Sequence, residues 1–260
     1  MDTQLDGRVA VVTGASRGIG RATARALLAE GARVAICARD PRTLDASAAH
    51  LRREHGEAVL ACVADVAREG ALEGVVHDAV ERWGRLDVLV NNAGGPPPGS
   101  FDALGDADWR SAFELTLLSV VRGVRAALPH LRASDAGRVI NVLSTSVKEP
   151  LPGMLLSNSL RSGVAGLAKT LSRELAPHGI TVNNVCPAHI LTGRLREVAA
   201  HRAAQGEASD ARGALSAVPL RRFGNPAEVA DLVAFLASKR AGYITGATIP
   251  VDGGSTASLT

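Results

Sequence analysis

Three glycines, Gly14, Gly18 and Gly20, punctuate Thr13-Gly14-Ala15-Ser16-Arg17-Gly18-Ile19-Gly20, directly after the apolar run Val9–Thr13. Glycine there lets a strand turn sharply into a helix and lets backbone N–H groups approach a phosphate at the helix N-terminus. The spacing Gly-x-x-x-Gly-x-Gly differs from the commoner Gly-x-Gly-x-x-Gly of dinucleotide sites. Glycine-rich turns also occur for purely structural reasons, but strand, turn and helix together point to a pyrophosphate. The next run ends in Cys37-Ala38-Arg39-Asp40. An acidic residue at Ala38 would accept hydrogen bonds from an adenosine ribose; the position carries none. Arg39 beside it and Arg17 in the glycine turn suit a 2′-phosphate, which arginine binds in a bidentate fork. NADP(H) is therefore favoured over NAD(H). The alternative is that Arg39 is a solvated strand-end residue neutralised by Asp40.

A second set of polar residues stands further along. Ser157 and Arg161 are one helical turn apart and share a face. Arginine keeps its proton, so Arg161 could bind hydroxyls or stabilise an oxyanion but not relay a proton. The only tyrosine is Tyr243, near the C-terminus. The three cysteines, Cys37, Cys62 and Cys186, lie in apolar segments without metal-ligand spacing and read as buried free thiols; no metal site is expected.

The elements that must position these groups are legible from periodicity. Short, nearly continuous apolar runs recur at Val9–Thr13, Arg33–Cys37, Ala58–Val63, Val88–Asn91, Val139–Leu143, Thr181–Cys186 and Ala247–Val251. Strands buried on both faces look like this. Between them Trp109, Phe113, Leu117, Val120, Val124 and Leu128 recur at helical spacing, as do Val164, Leu167, Ala168, Leu171 and Leu175. The pattern predicts an α/β fold in one domain: a doubly wound, seven-stranded parallel sheet flanked by helices. A helix is expected from near Arg21, two long ones near 106–130 and 153–178, and another from Pro226. Gly94–Gly99, with three consecutive prolines, must be a loop. Residues 188–225 read as an excursion over the site.

Apolar residues make up 46% of the 260, enough for a large core, and aromatics only 3%. The formal charge of +3 is spread along the chain, without the basic patch and aromatic platform of a nucleic-acid binder. No apolar run reaches membrane-spanning length, and the polar segment before Val9 is no secretory leader. A small-molecule substrate, no nucleic acid, no membrane and a cytoplasmic location are expected.

The ordered motifs resemble the short-chain dehydrogenases/reductases over essentially the whole chain. They are Thr13–Gly20, Asp65-Val66, Asn91-Asn92-Ala93-Gly94, Gly137–Asn141 leading to Ser144, Arg173–Ala176, Val182-Asn183 with Pro187, and Gly246–Gly254. The resemblance implies a Rossmann fold and a nicotinamide-dependent oxidoreductase acting on CH–OH or C=O groups. It implies cofactor contacts from Gly14, Ser16, Arg17, Gly18, Ile19 and Gly20, with Asp65-Val66 at the adenine. Asn91, Ala93 and Gly94 would border the cofactor, and Pro187 and Thr192 would lie by the nicotinamide. It also implies a homodimer or homotetramer formed through the long helices and last strand.

The family's catalytic asparagine, serine, tyrosine and lysine are only partly matched. Ser144 occupies the serine position, Ser157 the tyrosine's and Arg161 the lysine's; aligning on Leu128-Pro129 puts Thr116 at the asparagine. A serine hydroxyl is a far weaker acid than a tyrosine and too short to reach the same oxygen. Arg161 would then bind the cofactor ribose or a developing oxyanion. Lys148 and His189, in loops beside the expected site, are candidate acids or solvated loop residues. Three readings follow: an oxidoreductase with a non-standard proton donor, an isomerase, dehydratase or cyclase on the same fold, or a non-catalytic nucleotide-binding protein.

Overall fold

The structure, a computed structural model, describes residues 2–193, 195, 197, 215–216 and 218–259. In chain order the main elements are β1 (Val9–Thr13), α1 (Gly18–Ala29), β2 (Arg33–Ala38), α2 (Pro41–His55), β3 (Val59–Val63), α3 (Ala71–Trp83) and β4 (Val88–Asn91). There follow α4 (Asp106–Phe113), α5 (Ser119–Ala133), β5 (Arg138–Val142), α6 (Leu155–Glu174), β6 (Thr181–Pro187), α7 (Pro226–Ala237) and β7 (Thr248–Val251). The strands form one parallel seven-stranded sheet in the order β3-β2-β1-β4-β5-β6-β7. The order reverses between β1 and β4, which opens a crevice at the carboxyl ends of those strands, where open α/β sheets bind ligands.

Strand alternation splits the core in two. Ala10, Val12, Val34, Ile36, Val88, Val90, Ile140, Val142 and Val185 pack with α1, α2 and α7. Val9, Val11, Ala35, Cys37, Leu89, Val139, Val182 and Cys186 pack with α3, α5 and α6 on the other face. Because successive side chains point to opposite faces, a strand covered on both sides is apolar at nearly every position, and its few polar side chains are hydrogen-bonded. That is why the strands read as continuous runs, each within one residue of its expected bounds at either end.

Two helices differ from expectation. The first begins at Gly18 rather than near Arg21, because Gly18 and Gly20 are themselves part of its first turn. The long helix near 106–130 is two helices joined through a π-helical turn at Glu114–Leu118. A π turn inserts an extra residue and re-aims side chains, an event periodicity over a long window averages away.

At the amino ends of the strands lies a charged cluster. Fully buried Asp87 accepts hydrogen bonds from the Val9 N–H at 2.9 Å, Arg8 at 3.1 Å, Arg85 at 2.7 and 2.8 Å, and the Ser134 hydroxyl at 2.5 Å. Burial pushes the Asp87 carboxyl up, but the hydrogen bonds from Arg85, Ser134 and Val9 outweigh it and hold the group below its ordinary value. A carboxyl lowered by folding contributes stability above its unfolded pKa, and that contribution is lost as pH falls through the folded value. The Tm is therefore expected to drop as pH falls below about 4, the ordinary carboxyl range. Asp87→Asn should start lower and fall less steeply, which a thermal-melt series from pH 6 to 3 would read; parallel curves would contradict the assignment.

Candidate active site

The crevice begins at the glycine turn. Gly14 has φ +60°, and a β-carbon there would lie 2.1 Å from the Asn92 carbonyl oxygen. One on Gly20 would lie 2.4 Å from the Gly14 carbonyl oxygen and 2.6 Å from Asn92 Nδ2. The Asn92 N–H donates to Thr13 Oγ1 at 2.7 Å, and its Nδ2 to the carbonyls of Thr13 at 3.1 Å and Gly14 at 3.2 Å. Asn92 is thus a bracket that ties the end of β4 to the turn after β1. The turn exists in this shape only because two glycines leave room for it.

At the start of α1, Arg17 is the N-cap with no side-chain hydrogen bond to the helix, and the first turn holds no acidic residue. The first N–H groups of α1 are left without an internal anion, the condition for receiving a phosphate. The residues present fit a dinucleotide in this respect. Ser16 and Gly18 are half-buried on the same turn, while Ile19 packs inward against the core. The Thr192 methyl carbon would lie 3.4 Å from a β-carbon on Gly18, so the chain after β6 does cross this turn.

On the adenosine side, Arg39 is exposed at the end of β2 and makes no ion pair among the described residues. Asp40 does not neutralise it: the carboxylate caps α2, accepting the Thr43 N–H at 2.8 Å, with Pro41 at the first helical position. Asp65 follows β3 and accepts the Ala67 N–H at 3.1 Å, while Val66 is buried.

Asn91 has a different job from its neighbour. Its side chain is buried and donates to Asn141 Oδ1 at 2.9 Å; Asn141 donates to Asn184 Oδ1 at 3.0 Å, and Asn184 to Thr248 Oγ1 at 3.1 Å. These four residues are register partners across β4, β5, β6 and β7, so the ladder links the strands that carry the site. Its carboxamide faces α5, where a β-carbon on Gly123 would lie 2.9 Å from Asn91 Oδ1. The carboxamide that touches the glycine turn is that of Asn92, not that of Asn91. Ala93 and Gly94 leave β4 at the mouth, half-buried and exposed respectively. The Gly94–Gly99 loop ends by pairing with the segment before α6, the Gly99 N–H donating to the Gly153 carbonyl at 2.8 Å.

The polar cluster sits after β5. Ser144 adopts extended φ −164° and ψ 155° and caps a short 3-10 turn, its Oγ accepting the Ser146 N–H at 3.1 Å. With its lone pair so engaged, the hydroxyl proton is left to donate outward. Ser157 (5% exposed) and Arg161 (8%) face the sheet from α6. Arg161 Nη1 donates to the Val142 carbonyl at 3.1 Å, placing a buried cation beside the last residue of β5. The Ser157 hydroxyl makes no hydrogen bond among the described residues.

Cys186 lies on β6, where burial pushes its thiol up to about 11, against the opposing pull of the Ser144 N–H and of the charges on Lys148 and Arg161. Burial likewise raises Cys37 and Cys62 to about 12, and all three thiols are free and inert.

Thr116 lies in the π turn with Oγ1 fully buried and without a hydrogen-bond partner among the described residues. His189 is half-buried after β6 with φ +54°, its carbonyl accepting the Gly224 N–H at 3.0 Å. Pro187 ends β6 and Ala188 pairs with β7 at 3.2 Å. The described part of the 188–225 segment includes the pairing of Ile190 with Gly224; 198–214 lie outside the described residues, His201 among them. Among the described residues no group of three or more His, Cys, Asp or Glu is placed to hold a metal, and no helix is long and apolar enough to cross a membrane.

A family model described as enoyl-(acyl carrier protein) reductase matches residues 14–256. The chain is 37% identical over 254 residues to a 3-oxoacyl-[acyl-carrier-protein] reductase of Synechocystis sp., covering 97% of this chain and 98% of that one. It superimposes on L-sorbose reductase from Gluconobacter frateurii, solved with NADPH and L-sorbose, with TM-score 0.92, 33% identity and full coverage of both chains. It also matches an NADPH-bound short chain oxidoreductase from Pseudomonas aeruginosa PAO1, described as containing an atypical catalytic center. That match has TM-score 0.88 and 36% identity over 96% of this chain and 97% of that one.

Proposed function

The chain belongs to the short-chain dehydrogenase/reductase family of nicotinamide-dependent oxidoreductases, and from that premise we propose that it is an NADPH-dependent carbonyl reductase whose proton donor is not on α6. When bound, the cofactor supplies the hydride that reduces the carbonyl carbon, and a proton must reach the carbonyl oxygen to give the alcohol. Ser144 donates a hydrogen bond to that oxygen. Arg161, a buried guanidinium that stays charged, stabilises the negative charge developing there. The observation that carries this reading is Ser144 at the head of the turn after β5, with the Arg161 guanidinium buried against the carbonyl of Val142, the last residue of that strand. Lys148, half-buried at the end of the Ser144 turn, is the group we assign to deliver the proton.

NADP(H) preference is supported by Arg17 and by Arg39, which is exposed and outside any ion pair among the described residues. On this reading the whole chain, 1–260, is a single dinucleotide-binding domain, with an excursion at about 188–225 covering the substrate. Phe113, 40% exposed on α4, supports self-association through the long helices into a homodimer or homotetramer. The reading also takes the protein to act in the cytoplasm on a small-molecule substrate.

The test mixes the protein with NADPH and a panel of ketones and aldehydes and follows loss of the reduced cofactor together with alcohol formation. Stoichiometric oxidation and reduction are expected. Substrate conversion without cofactor oxidation, or tight NADPH binding with no turnover across the panel, would reject the reductase reading. Lys148→Met is expected to lower turnover about tenfold, the modest end of a positioned acid's contribution because water reaches a half-buried site. His189→Gln should stay near wild type; the reverse ranking would move the proton donor to His189.

A further inference from the structure

Arg17, one of the two guanidinium groups assigned to the 2′-phosphate, already holds an anion. Its Nη2 donates to Glu197 Oε1 at 3.3 Å, with the side chains 70% and 49% exposed. Its Nη1 lies 3.6 Å from the point a β-carbon on Gly193 would occupy. The guanidinium therefore lies along the chain that leaves β6, which also crosses the glycine turn at Thr192. Arg39 has no comparable partner among the described residues, so there the two arginines enter cofactor binding in different states.

We propose that Glu197 is a cofactor-specificity residue, its carboxylate competing with the 2′-phosphate of NADP(H) for Arg17. A bound phosphate must take the guanidinium from Glu197 and tolerate a like charge nearby. Both effects weaken binding of the phosphorylated cofactor and leave the unphosphorylated one unaffected. The proposal rests on the NADP(H) reading given above. It makes the preference a balance among Arg17, Arg39 and Glu197 rather than a property of the arginines alone.

Both side chains are largely exposed, so their substitution leaves the core intact. Titration of NADPH and NADH into wild type, Glu197→Gln, Arg17→Gln and the double variant at low salt tests the idea. Glu197→Gln is expected to tighten NADPH about two- to fivefold, the range for an exposed ion pair, and to leave NADH unchanged. The gain should shrink as salt rises and vanish in the Arg17→Gln background. Weaker NADPH binding in Glu197→Gln would mean that the carboxylate positions Arg17 instead, and equal tightening of both cofactors would mean a general charge effect; each overturns the proposal. If wild type favours NADPH and Arg17→Gln abolishes that preference while Glu197→Gln changes nothing, the inference alone fails. If wild type binds NADH as tightly as NADPH and Arg17→Gln alters neither, the underlying cofactor reading fails with it.

Discussion

Ser144→Ala is expected to lower kcat by about two to three orders of magnitude, the cost of removing one preorganised donor from a developing oxyanion. Ser157→Ala should leave kcat within about threefold, because an unassisted serine hydroxyl contributes little as an acid. The difference follows from placement. Ser144 Oγ accepts the Ser146 N–H at 3.1 Å, and its own O–H remains available to donate to another partner. Arg161 is buried against the Val142 carbonyl, at the end of the strand that leads to Ser144. Ser157 sits on the sheet-facing side of α6 at 5% exposure, and alanine there removes only one short hydroxyl. Steady-state kinetics at saturating NADPH, on whichever carbonyl the panel identifies, would read both variants. Wild-type rates in both would remove Ser144 from the site. A Ser157→Ala loss as deep as that of Ser144→Ala would make Ser157 the proton carrier and displace Lys148.

Gly14→Ala is expected to destabilise the protein and abolish NADPH binding together. The added β-carbon would meet the Asn92 carbonyl oxygen at 2.1 Å, well inside any contact a real side chain makes, on a backbone at φ +60°. Left-handed backbone costs a non-glycine residue about 1–2 kcal/mol. Displacing Asn92 breaks its hydrogen bonds to Thr13 and Gly14 in a part-buried setting, at about 1–3 kcal/mol for a group left unsatisfied. At about 2–4 °C per kcal/mol for a chain of this size, the Tm should fall by about 10 °C. Gly74→Ala on α3 is the control, because a β-carbon there meets nothing within 4 Å. It should stabilise by about 0.5–1 kcal/mol, alanine being the better helix residue. Thermal melts and fluorescence titration would measure both; a Gly14→Ala protein with wild-type Tm and affinity would mean the turn is not built as described.

The parts of the molecule that read directly from sequence are those governed by local patterns. Ile36 and Val182 sit in strands covered on both faces, and the need for apolar residues at nearly every position there makes the strands continuous in the sequence itself. Leu171 and Leu175 recur at the helical period because α6 packs one face on the sheet. Gly14 and Gly20 mark the turn because no other residue fits it. Ser144 was singled out by the family resemblance, as the residue at the serine position of that pattern.

Asn91 and Asn92 show the limit. The two residues are identical and adjacent, and nothing in their order says that one joins a ladder with Asn141 while the other braces the glycine turn. Alternation at the end of β4 decides it: the last strand residue points to the α5 side, and the first residue beyond the strand is free to turn toward β1. Thr116 was placed by alignment, but its burial depends on the π turn, which averaging over helical periodicity conceals. Glu197 gave no signal at all, because its partner Arg17 lies far away along the chain.

By itself, then, the sequence determined the sheet, the helices that cover it and the glycine turn after β1, because each depends on residue type at fixed local spacing. Only the tertiary structure decided which asparagine braces the turn, that Arg161 sits buried against Val142, and that Arg17 is held by Glu197. Those are contacts between distant segments, and their partners are chosen by how the strands and helices stack, which local spacing does not encode.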